Sequence, residues 1–132
     1  MIQAIEGVSW SVVDAVWVAM QGRLKEKFPG ADAGHVMAFL MKCPVCWGIW
    51  REFECLGAIY GRPESLHIAV RPSAHGKWFV KGAATQFLRR YFAQYSVMIV
   101  REWTPEGRRL ADFLGFQLEN STLVLRGPYV EA

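Results

Sequence analysis

The stretch that most constrains this chain is residues 66–90, LHIAVRPSAHGKWFVKGAATQFLRR. A short apolar run over residues 66–70 reads as a strand. It breaks at Arg71-Pro72 and passes through a polar loop holding His75, Gly76 and Lys77. An amphipathic helix follows, with Val80, Ala84, Phe87, Leu88, Tyr91 and Tyr95 on one face. A strand feeding a helix in this way gathers free backbone N–H groups and the positive end of a helix dipole at one spot. That is a generic site for an anionic group. Basic charge collects here too: residues 71–109 hold eight basic side chains and two acidic ones, while the rest of the chain is net acidic. Either an anionic partner or a solvated basic helix face accounts for the asymmetry.

The flanking sequence completes an alternating pattern. Ile2 and Ala4 fit a short first strand. Ser9 or Ser11 can cap a helix carrying Val13, Val16, Trp17, Met20, Leu24 and Phe28 at helical spacing, and Pro29-Gly30 ends it. Asp32 can cap a second helix through Val36, Phe39 and Leu40 to Lys42. The period then changes to that of a hairpin: residues 45–50, a polar break at 51–54, and residues 55–60. Residues 61–64 turn the chain into the strand at 66–70. After the central helix comes the buried-looking strand SVMIV at 96–100. Thr104-Pro105-Glu106 is a helix start, with a capping hydroxyl and proline at the first helical position. Gly115 stops that helix, and a last hairpin turns at Asn120-Ser121. No repeat or linker interrupts the order, so residues 1–132 are expected to form one domain. The fold class expected is α+β: a mixed, mostly antiparallel sheet, one parallel strand–helix–strand unit made by a right-handed crossover, and helices on both faces.

Bulk properties narrow the partners. With 52% hydrophobic and 20% charged residues, the chain has the balance of a globular protein. No apolar run approaches the roughly 18 residues of a membrane span. No basic segment precedes an apolar one at the N-terminus, so an intracellular, cytoplasmic protein is expected. Three cysteines are an odd number, which speaks against a disulfide framework. Cys43-Pro-Val-Cys46 has the spacing of redox and zinc sites. A zinc site would need Cys55 with His35 or His67 as well, so buried thiols are expected and no metal.

Two motifs at this separation resemble the GNAT superfamily, the Gcn5-related N-acetyltransferases. Val70-Arg71-Pro72-Ser73-Ala74-His75-Gly76-Lys77 looks like the end of that family's fourth strand and its pyrophosphate loop. Arg108-Arg109-Leu110-Ala111-Asp112-Phe113-Leu114-Gly115-Phe116 looks like its late helix ending in LGF. The element order resembles the family over nearly the whole chain. The resemblance implies a GNAT-type N-acyltransferase using acetyl-CoA. His75, Gly76, Lys77, Trp78, Phe79 and Val80 would lie along the coenzyme's pyrophosphate, and a backbone N–H near Ala69 or Val70 would polarise the acyl carbonyl. Trp78 and Val80 stand where the family pattern has glycine and a small residue. Ala111 stands where it often has the tyrosine that protonates the leaving thiolate, and Thr104 where it often has asparagine.

His67 is the candidate base, since its ordinary pKa suits proton transfer near neutrality. Glu52 and Glu54 on the hairpin turn are others, and Tyr60 or Tyr95 could replace the missing acid. The alternative reading is a GNAT-fold protein without catalysis that serves as a binding or structural component, such as a phage virion or accessory protein. It would have a protein partner or form a homo-oligomer, with Trp47, Trp50 or Trp103 as contacts. A nucleic-acid partner is not favoured, because the basic residues lie on several elements and no recognised binding motif accompanies them.

Overall fold

The computed structural model describes residues 2–74 and 81–129. The element order is β1 (Ile2–Glu6), α1 (Trp10–Lys27), α2 (Ala33–Lys42), β2 (Val45–Arg51), β3 (Glu54–Arg62), β4 (Ser65–Val70), a 3₁₀ turn (Pro72–Ala74), α3 (Lys81–Gln94), β5 (Val97–Val100), α4 (Pro105–Leu114), β6 (Gln117–Glu119) and β7 (Thr122–Arg126). This is the expected α+β order. Residues 75–80, where the family resemblance places the pyrophosphate, lie outside the described residues.

Local chemistry sets the helix ends. Ser9, rather than Ser11, caps α1, its hydroxyl accepting from the Val12 N–H at 3.3 Å. Asp32 caps α2 in a reciprocal pair: its carboxylate accepts from the His35 N–H and His35 Nδ1 accepts from the Asp32 N–H, both at 3.1 Å. His35 is thus a capping residue. Thr104 caps α4 through the Gly107 N–H, Pro105 opens the helix, and Gly115 closes it at φ 94°.

The strands form two sheets, β1-β2-β3-β4 and β5-β7-β6, and every ladder is antiparallel. β3 runs to Arg62, so the link to β4 is only Pro63-Glu64, shorter than the four-residue turn expected. Gly61 makes this tight return, with φ 128° and the Ser65 carbonyl oxygen close to where a Cβ would sit. The strand–helix–strand unit is present, but β4 and β5 share no ladder among the described residues. One backbone bond, Ile99 N–H to the Pro63 carbonyl at 2.9 Å, joins the start of β4 to the end of β5.

Helices cover both faces of the four-stranded sheet. One core joins Trp47, Leu56, Leu66 and Val70 to Phe87, Leu88 and Tyr91 of α3 and to Ala111 of α4. The other joins Val12, Val13 and Val16 of α1 and Leu40 of α2 to Cys46, Cys55, Ala58, Tyr60 and Ala69. Each fully buried side chain such as Leu56 or Leu88 contributes about 1.5–3 kcal/mol. Trp47, expected as an exposed partner contact, is buried instead. Alternation along β2 turns it to the α3 face, where its ring packs edge-on against Phe87 at 5.4 Å. Trp50 is half-buried and Trp103 is exposed.

Candidate functional site

β4 is the hinge of the site, because its two edges differ. On one side it pairs with β3 through six consecutive positions, from Gly57↔Val70 to Arg62↔Ser65. The approach is closest at Gly57, where a Cβ would run into the Ala69 carbonyl and lie 2.8 Å from Val70 Cα. Beyond β4 the Arg71 N–H continues the ladder to the Leu56 carbonyl at 2.8 Å. In an antiparallel ladder the backbone groups alternate between the two edges. Since Arg71 turns its N–H to β3, so do Ala69 and His67. Leu66, Ile68 and Val70 turn theirs to the other edge, toward β5.

Of the two amides considered from sequence, Ala69 therefore belongs to the β3 side and Val70 to the β5 side. Ile68 joins Val70 there. It was not singled out from the sequence, although strand parity would have found it once the ladder was known. Its side chain is 48% exposed, between Leu66 at 2% and Val70 at 8%. An apolar side chain left bare between two buried neighbours marks where β4 loses its cover.

The β5 side of this opening is fixed from below. The buried Tyr91 of α3 donates its hydroxyl to the Val97 carbonyl at 2.6 Å, and Arg101 Nε donates to the Glu64 carbonyl at 3.0 Å. Tyr95 packs its ring on Tyr91 at 5.0 Å.

His67 lies on the opposite face of β4, toward α1 and α2. It stacks on its cross-strand partner Tyr60 at 5.5 Å and 27°, and Phe39 of α2 meets the other side of this group edge-on at 6.0 Å from Tyr60. The Tyr60 hydroxyl donates to Met20 Sδ at 2.9 Å. Burial pushes its pKa up to about 12, with Cys43 adding to the rise. Tyr60 thus holds its proton firmly and spends it on α1. Glu52 sits in the β2–β3 turn at φ 55°, and Glu54 pairs with Arg51 at 3.0 Å. Six residues of β3, roughly 20 Å of strand, separate that turn from Tyr60 and His67. The structure brings His67 and Tyr60 together and leaves Glu52 apart from both.

Three guanidiniums of the basic segment are already engaged. Arg71 anchors the end of β4: its Nε donates to the Cys55 carbonyl at 2.9 Å and its Nη2 to Asp14 of α1 at 3.1 Å. Arg108 pairs with Asp112 within α4 at 3.0 Å, and Arg101 is held at Glu64. These three guanidiniums are structural ties within the fold. The three cysteines are free thiols. Cys46 and Cys55 are buried, and burial raises both, Cys46 to about 11. Among the described residues no three His, Cys, Asp or Glu side chains are grouped to hold a metal ion, and no helix is long and apolar enough to cross a membrane.

No family model matches the sequence, and no curated protein matches it. Among solved structures, a GNAT family acetyltransferase from Brucella melitensis in complex with acetyl-CoA shares the fold. The TM-score is 0.55 at 13% identity, over 99% of this chain and 92% of that one. A likeness at this identity shows the fold: the chain is GNAT-like in architecture.

Proposed function

We propose that this protein is an N-acyltransferase of the GNAT type, taking its acyl group from acetyl-CoA or a related acyl-CoA. The observation that supports this best is the open edge of β4. In a fold shared with an acetyl-CoA-bound acetyltransferase, the Ile68 backbone turns away from β3 toward β5, with which β4 shares no ladder among the described residues, and its apolar side chain is half-exposed. A pantetheine arm carries amides along a thin apolar chain, and such an edge offers both amide partners and apolar contact. The residues present on β4 therefore fit the group. The 75–80 loop, with His75, Gly76, Lys77, Trp78, Phe79 and Val80, is proposed for the pyrophosphate end.

When bound, the thioester would supply the activated acyl group. The chain's own residues then have two tasks. Backbone N–H groups on the β5 edge of β4 would stabilise charge on the acyl oxygen, a role that costs no reorganisation when the donors are fixed by a ladder on the other side. His67, half-buried against Tyr60, is the proposed base for the acceptor amine. The C–N bond forms, the C–S bond breaks, and the proton lost by the amine ends on the leaving thiolate.

A second reading has its own observation in support. Ala111, where the resemblance places an acid, is buried in the α3–α4 core, and the Tyr60 hydroxyl is engaged at Met20. A non-catalytic GNAT-fold component, in a virion or elsewhere, fits that lack of an acid. Titration with acetyl-CoA separates the two. The acyltransferase reading expects saturable binding and a stabilisation of about 2.7 kcal/mol at a hundredfold excess over Kd, with free thiol released in the presence of amines. Binding without turnover leaves the second reading. Neither heat nor thermal shift at millimolar coenzyme overturns the first.

A further inference from the structure

A groove of about 420 Å³ lies at the other edge of the four-stranded sheet, between the β1–α1 corner and the tip of the β2–β3 hairpin. It is unconnected with the open edge of β4: three strand spacings separate β1 from β4, about 14 Å. Its apolar lining comes from Ile5, Val8 and Val12, and its aromatic walls from Trp50 and Phe53. The Trp50 ring is seated in a notch left by Gly48. A Cβ there would lie 2.5 Å from Trp50 Nε1 and 2.9 Å from Val12 Cγ2, so the indole is a fixed wall. Phe53 is 98% exposed at the hairpin tip.

The charged side chains lining the groove are both carboxylates, Glu6 and Glu52, and neither has an ion-pair partner among the described residues. Part of their placement answers the α1 dipole, whose first turn holds no acid of its own. The dipole does not account for two aromatic rings beside two unpaired carboxylates over an apolar lining. Ring faces and carboxylates both attract a cation, and the aliphatic side chains suit a hydrocarbon stem.

We infer that this groove binds a primary alkylammonium ion, its chain on Ile5, Val8 and Val12 and its charge between Glu6, Glu52 and the two rings. The site is separate from the acyltransferase reading and stands or falls without it.

The test is titration of the intact protein with hexylammonium chloride, with hexanol and sodium hexanoate as neutral and anionic controls. The readout is the indole N–H resonance of Trp50, assigned by its loss in Trp50→Phe. The expected result is a saturable shift with hexylammonium, binding of hexanol at least about tenfold weaker, and none of hexanoate. Glu6→Gln and Glu52→Gln should each weaken binding by roughly fivefold, and the double variant by roughly 25-fold, to about the level of hexanol. Phe53→Ala, which truncates an exposed ring and leaves the fold alone, should weaken it by roughly threefold. Equal binding of hexanol and hexylammonium would overturn the inference. So would an amine affinity unchanged by the double Gln variant, since the carboxylates would then serve only α1. The absence of any saturable shift at millimolar amine would do the same.

Discussion

The two edges of β4 show how one strand can be both scaffold and opening. Toward β3, six paired positions, the Arg71 extension and the bare approach of Gly57 leave no room for a ligand. Toward β5, among the described residues, one backbone bond at Pro63 and the Arg101 tie to Glu64 hold the strands together at one end, and Ile68 is left half-exposed. The saturated edge is what makes the open one useful: its ladder fixes where the outward amides point, so nothing need be ordered when something binds there. Without that ladder, the same residues would be a mobile segment.

This contrast can be broken most severely on the saturated side. Gly57→Val places side-chain atoms on the Ala69 carbonyl and Val70 Cα, and should cost about 3 kcal/mol, read from the urea midpoint. Loss of coenzyme binding should follow, because the outward amides lose their support. An unaltered midpoint would mean that β3 and β4 separate freely.

Alkaline titration probes the same side chemically. Tyr60 ionises at about 12 in the fold against an ordinary 10, through burial. Its contribution is therefore full below pH 10 and is lost as pH rises from 10 toward 12. Two units correspond to about 2–3 kcal/mol. Tyr60→Phe should flatten that segment of the stability–pH curve, and an unchanged slope would place the alkaline transition elsewhere. Cys46 adds a similar decline starting near pH 9, which Cys46→Ala should remove.

On the open side the effects on stability shrink. Arg101→Ala removes one hydrogen bond to Glu64 and should cost up to about 1 kcal/mol in thermal unfolding. Ile68→Ser is the smallest for the fold, within about 0.5 kcal/mol because the side chain is exposed. It should nevertheless weaken acetyl-CoA binding in calorimetry if the arm lies in this opening. Unchanged affinity in Ile68→Ser alongside intact binding in the parent protein would move the coenzyme elsewhere.

Much of the architecture was legible in the residues. Caps, prolines and hydrophobic period are local signals, and they placed α1, α2, α4 and both hairpins, with Asp32 and Thr104 as caps. The strand–loop–helix stretch also pointed to β4, the strand on which the proposed site is built. What the residues could not give was anything set by parity or by a neighbour across the sheet. His67 and Ile68 are adjacent and alike in strand context, yet the β3 register sends one to Tyr60 and the other into the open. Trp47 and Trp50 are three residues apart in one strand. The first is core because α3 lies over it; the second walls a groove because Gly48 makes space for it.

The sequence by itself therefore determined the elements and their order, since those follow from propensity, capping and period within a few residues of chain. Only the tertiary structure decided which edge of β4 is closed and which is open, and which basic side chains are already engaged. Arg71 looked like part of an anion site and is a tie to Asp14 and Cys55. Whether a group is free for a ligand depends on partners distant in the chain, and no local pattern encodes them.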